Sequence, residues 1–178
     1  MLGVSNKGGF TMRKLLSLFL CLLLSFGVIG CGGDESKTAT FDNPKAADLA
    51  IYKPCRSAIA SADKLTTLID AGNKEELLTY CEQVTDWGSD WLDELEAIEY
   101  EGAENYISTA TGLVSTVYMI ASDLLTYNEN GDTEALHKAS QNISIMPEAT
   151  NKLDTAREAF LTNAGLTNDE VAAIIMAG

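Results

Sequence analysis

The chain has 178 residues and carries 26 acidic against 12 basic side chains, a net charge of −14. That length suits one domain, and the sign of the charge excludes nucleic acid as a partner, because neutralising phosphates takes a surplus of Lys and Arg. An anionic membrane surface would also repel the folded domain.

The first element is KGGFTMRKLLSLFLCLLLSFGVIGCGGDES, Lys7 to Ser36. From Leu15 to Ile29 there is no charge, and Arg13 and Lys14 stand just before the run. It is shorter than the roughly 20 apolar residues a membrane-spanning helix needs. No basic stop-transfer cluster follows Gly30-Cys31-Gly32-Gly33. A basic start, a short apolar middle and a small residue at the exit predict an export signal over residues 1–30. Met12-Arg13-Lys14 is a normal opening for such a signal. Lys7-Gly8-Gly9, encoded AAA-GGA-GGN, would read as a ribosome-binding sequence, so translation is expected to begin at Met12.

The exit is the most specific part. Val28-Ile29-Gly30-Cys31 resembles the lipobox of bacterial lipoproteins, a likeness confined to Met12 through Cys31. The resemblance implies a diacylglyceryl group on the Cys31 thiol, cleavage by signal peptidase II between Gly30 and Cys31, and acylation of the new amino group. Each buried CH₂ contributes about 0.8 kcal/mol, so two or more chains hold a protein durably at a membrane. The implied address is the non-cytoplasmic side of the cell envelope. Gly32 in place of Asp points to the outer membrane where the cell has one. Without residues 1–30 the chain keeps 9 bases against all 26 acids, a net charge of −17.

Residues 31–43 are small and polar and read as a flexible tether; fully extended, it reaches roughly 40 Å. From residue 44 to 178 the pattern is helical, and no strand-like alternation occurs. Asn43 caps the first helix, with Pro44 in its first turn. Its expected stripe is Leu49, Tyr52, Cys55, Ile59, Ala62, Leu65 and Ile69, with Pro54 kinking or dividing it and Gly72 ending it. Asn73-Lys74-Glu75-Glu76 resembles a capping box and opens a second helix. Its seam is Leu77, Cys81, Val84, Gly88, Trp91, Leu95 and Ile98. A third helix carries Tyr106, Ala110, Leu113, Val117, Ile120, Leu124 and Tyr127. A fourth begins at Asp132 and offers Leu136, Ala139, Ile143, Met146, Leu153, Ala156 and Phe160, with Pro147 bending or splitting it. Thr167-Asn168-Asp169-Glu170 caps a short fifth helix containing Val171, Ile174 and Ile175. Long amphipathic helices joined by short turns predict an all-α, antiparallel four-helix bundle with a short C-terminal helix.

Few residues suggest chemistry. Cys55 and Cys81 form an even pair in an oxidising compartment, which favours a disulfide. Across a hairpin turning near Gly72, however, they stand roughly 12 Å apart along the axis, beyond the Cα separation of about 7 Å a disulfide tolerates. Unwinding at Pro54 would reconcile the two; otherwise both are buried free thiols.

Asp86, Trp87, Asp90, Trp91, Asp93 and Glu94 place two indoles beside carboxylates, either a platform for ammonium or guanidinium groups or a core edge with a solvated acidic face. No Lys or Arg occurs between Lys74 and Lys138, so the second helix is expected to offer a base-free partner face: Asp86, Trp87, Asp90, Asp93 and Glu94. Around Gly131 the calcium-loop count puts Thr126 first and His137 twelfth, where acids are required, and it fails. Di-iron Glu-x-x-His, haem-attaching Cys-x-x-Cys-His, Gly-x-Ser-x-Gly and Gly-rich phosphate loops are absent. A non-covalent haem would have to use His137 with Met119 or Met146. The expectation is a non-enzymatic binding module without cofactor, metal or catalytic residue, whose partners are the membrane through Cys31 and a basic envelope protein. The alternative is a small-ligand or metal carrier, for haem or another cation, using the bundle interior or the Trp87–Trp91 pair.

Overall fold

The computed structural model describes residues 38–177. They form five α-helices: α1 (Pro44–Ala71), α2 (Lys74–Glu96), α3 (Glu104–Asn130), α4 (Thr133–Asn163) and α5 (Asn168–Ala177). The expected all-helical class and bundle arrangement are present.

Local chemistry places each boundary. Asn43 accepts a hydrogen bond from the Ala46 N–H at 3.0 Å, with Pro44 in the first turn. Gly72, at φ 66°, closes α1 in the left-handed conformation that favours glycine, and Gly131, at φ 69°, does the same for α3. Asn73 accepts from the Glu76 N–H and donates its amide to the Glu76 carboxylate at 2.9 Å. Asp132 accepts from Glu134 N–H and Ala135 N–H at the start of α4. Before α5, the Thr167 backbone N–H and hydroxyl both donate to Glu170, and Lys45 of α1 meets the same carboxylate at 3.1 Å. These bonds, the one from the Thr167 backbone first, hold the Glu170 carboxyl down at about 2.

Both internal prolines are accommodated without dividing a helix: α1 runs through Pro54 and α4 through Pro147. Each removes one backbone donor, and packing along the rest of the helix outweighs that loss.

The helices alternate in direction. Asp48 near the start of α1, Tyr106 near the start of α3 and Arg157 late in α4 meet at one end. Leu68, Leu77, Leu124 and Leu136 gather at the other. α3 packs on α1, α2 and α4, and it accordingly buries two adjoining ridges: Tyr106, Ala110, Leu113, Val117, Ile120 and Leu124, with Val114 and Ala121 beside them. The α2 seam is met at Cys81, Val84, Gly88 and Leu95, and Gly88 brings α2 against Tyr118 of α3.

α1 meets its expected face in the middle and leaves it at the ends. Cys55, Ala62 and Leu65 are buried, and Tyr52 and Ile59 pack on the core. Leu49 is 70% exposed and Ile69 is exposed, whereas Ala47, Asp48, Ile51, Ala58 and Leu68 are buried beside the stripe, so the buried face is wider than expected and includes an aspartate.

The start of the described chain is fixed rather than free. Ala39 donates its N–H to the Ala97 carbonyl (2.7 Å) and accepts from the Glu99 N–H (3.3 Å), forming a lone parallel bridge with Ile98. Phe41 packs on the core. The last residues of the expected tether are therefore a strap on the α2–α3 loop. Among the described residues no helix is long and apolar enough to cross a membrane.

Candidate functional site

On α2, Cys81, Val84, Gly88 and Leu95 face inward. At 100° per residue, Asp86, Asp90 and Asp93 fall on the opposite side, and all three are exposed. Between the two faces runs an aromatic ridge. Tyr80 meets Trp87 edge-on at 6.0 Å, and Trp87 meets Trp91 at 6.3 Å with a 37° tilt. Tyr80 is buried and donates its hydroxyl to Ser61 Oγ of α1 at 3.2 Å. Trp91 is half-buried against the core, and Trp87 keeps 40% of its surface exposed. The ridge is thus core-anchored at both ends and open at Trp87, where an indole face and nearby carboxylates can attract a cation.

The surroundings are not base-free, as the spacing of lysines along the chain had suggested. α1 lies alongside and contributes Lys53, 3.5 Å from Glu94, and Lys64, 4.1 Å above the Tyr80 ring. Glu94 therefore belongs to the α1–α2 boundary, while Asp86, Asp90 and Asp93 remain on the solvent side.

The expected disulfide is not formed: Cys55 and Cys81 are both buried free thiols. Because α1 passes through Pro54 without unwinding, the axial offset across the hairpin persists. Cys55 instead donates its thiol to the Ile51 carbonyl at 3.2 Å. Burial pushes Cys55 up to about 12. Burial, with the Glu82 charge second, pushes Cys81 up to about 11. Neither thiol is activated as a nucleophile.

A cluster that the sequence reading missed lies where α1, α3 and α4 meet. Asp48 Oδ1 accepts from Arg157 Nε at 2.8 Å and from the Tyr106 hydroxyl at 3.1 Å. Asp48 Oδ2 accepts from Arg157 Nη2 at 2.8 Å. The two charged side chains are only 2% and 4% exposed. The guanidinium stacks on Tyr52, 3.7 Å from the ring centroid, and its Nη2 reaches the Ile174 carbonyl of α5 at 3.5 Å. Burial opposes the Arg157 charge, yet the hydrogen bonds and charge of Asp48 outweigh it and move the guanidinium pKa upward. Tyr106 is raised by burial first and then by the Asp48 charge. Each charge has its counter-charge, so the cluster reads as a structural clamp. Its signal in the sequence is a charged residue inside an apolar stripe on two helices: Asp48 between Ala47 and Ile51, and Arg157 between Leu153 and Phe160.

The remaining expectations fall as follows. Gly30 and Cys31 lie outside the described residues. His137 is exposed, with its Nε2 2.9 Å from Gln141 Nε2; Met119 is exposed and Met146 buried. Among the described residues no group of three or more His, Cys, Asp or Glu side chains could hold a metal ion. Comparison with protein-family models, with curated proteins and with solved structures yields no match.

Proposed function

We propose that the chain is a lipid-anchored lipoprotein of the bacterial envelope whose helical bundle is a non-enzymatic binding module. The lipobox-like Val28-Ile29-Gly30-Cys31 supports the anchor. The partner face is the solvent side of α2, and the observation that carries it is Trp87. Large aromatics usually fill cores, and this one stays 40% exposed beside Asp86 and Asp90. Trp is enriched among interface anchors, and charge belongs to the polar rim around them. A partner presenting lysines or arginines fits it, with electrostatic steering that weakens as salt screens the charges. The ligand-carrier reading stands second. It calls for a roomy internal pocket or an inward polar group; Asp48 and Arg157 are such groups, and they are paired with each other.

Two measurements test the proposal. Intact mass of the native protein should correspond to a chain beginning at acylated Cys31, unchanged in cysteine state by reductant; a retained leader or an unmodified Cys31 removes the anchor. Capture of a basic envelope protein at low ionic strength should fail with Trp87→Ala and decline with Asp86→Asn/Asp90→Asn. Capture indifferent to salt and to these changes would move the partner off α2.

A further inference from the structure

The two ends of the bundle are finished differently. At the Ala39 end, the α2–α3 loop buries Ile98 and Ala103, and Phe41 and α5 pack over the core. At the other end the connections are only Gly72-Asn73 and Gly131-Asp132, too short to fold back over the helix ends. They leave an apolar groove of about 310 Å³. Leu68, Leu77 and Leu124 form its floor, and Ile69, Tyr127 and Leu136 line it while staying 37%, 39% and 38% exposed. Three large apolar side chains half in water around one depression are a cost the fold does not require.

The charge around the groove is one-sided. The two turns and their flanks carry Asp70, Glu75, Glu76, Glu129, Asp132 and Glu134 against Lys138 and Lys74, the latter lining the groove itself. Lys138 is engaged with Glu134 at 2.9 Å. An apolar floor between helices suits the apolar face of another helix, read as anchors at i, i+3, i+4 and i+7. The surplus of carboxylates on the flanking turns favours lysine or arginine beyond those anchors. It also disfavours a second copy of the chain, whose own turn end would bring the same excess of acid.

We propose that the groove at the turn end is a docking site for a basic amphipathic helix of another protein. Its leucine-type side chains seat on Leu77, Tyr127 and Leu136, and its cationic flanks lie over the surrounding carboxylates. The site is separate from the Trp87 face, so the two can be lost independently.

The test uses the full-length chain and a synthetic helix with leucines at i, i+3, i+4 and i+7, lysine flanks and one photo-reactive leucine. A twin peptide carries glutamate flanks. Cross-links should map to residues 68–78 and 124–136. Leu136→Glu should weaken capture about tenfold, the scale of a lost interface anchor, whereas Ile145→Ala, an exposed apolar position of α4 outside the groove, should leave it unchanged. Circular dichroism matching the parent keeps a lost fold from passing as a lost site, and Tyr127→Glu serves as a second, independent rim change. Equal capture of the glutamate-flanked twin, cross-links elsewhere, or capture unchanged in both rim variants overturns the proposal. So does self-association of the chain that Leu136→Glu abolishes, which would make the occupant a second copy.

Discussion

Asp48 and Arg157 are the residues whose environment departs furthest from what their chemistry prefers. A buried bidentate pair gains strong hydrogen bonds but carries the desolvation of two charges, so its net effect is small while both partners are present. Removing one leaves the other uncompensated. Asp48→Ala should therefore destabilise the protein by about 3–5 kcal/mol in denaturant unfolding. Asp48→Leu combined with Arg157→Met and Tyr106→Phe, which removes the hydroxyl that donates to Asp48, should restore stability or raise it. A single change that costs little would mean that water reaches Arg157. The thiols make a second prediction at this scale. Cys55 and Cys81 sit at about 12 and 11, above the ordinary value of about 8.5 for a free cysteine. The folded state thus holds these protons longer than the unfolded one. The stability linked to them is fully present below about pH 8.5 and falls as pH rises through their folded values. Urea midpoints should decline from about pH 9 towards 12, and Cys81→Ala should flatten the lower part of that decline. A flat profile would show both thiols ionising freely in the native state.

At the scale of helices, close approach is the test of packing. A Cβ added at Gly88 would sit 3.0 Å from Tyr118 Cδ2 and 3.2 Å from its Cβ, whereas at Gly112 it would meet nothing within 4 Å. Both glycines are helical, so replacing either with alanine gains up to about 1 kcal/mol of helix propensity. At Gly88 overpacking costs about 1–3 kcal/mol and outweighs that gain. Gly88→Ala should therefore lower the unfolding midpoint and Gly112→Ala should raise it; equal shifts would mean that α2 and α3 do not meet there. Much of this level was legible from the chain alone. Asn43, Asn73, Asp132 and Thr167 cap where they were expected, because capping is decided within four residues. The α2 and α3 stripes were legible because their inward positions are apolar or glycine. On α1 the middle of the stripe was legible at Cys55, Ala62 and Leu65, but its start was not, since buried Asp48 looks polar and exposed Leu49 looks apolar. Its partner lies 109 residues away, a pairing that no local pattern encodes. Lys53 and Lys64 beside the acidic α2 went unseen for the same reason: only the tertiary packing brings them there.

Taken whole, the molecule is a strongly acidic bundle with two unlike ends, one covered and one left open between two tight turns. The proposed anchor and α2 partner face rest on motifs within single segments, whereas the groove is assembled from three separate segments and has no signature in any of them. The strap at Ala39 gives this asymmetry a mechanical meaning. Any pull arriving along the chain from its N-terminal side meets two backbone hydrogen bonds before it reaches the first turn of α1. Both bonds belong to one residue, so they share the load and hand it to the elbow between α2 and α3. The bundle is thereby gripped at its covered end, and a tug there spares the open tip where a visitor would sit.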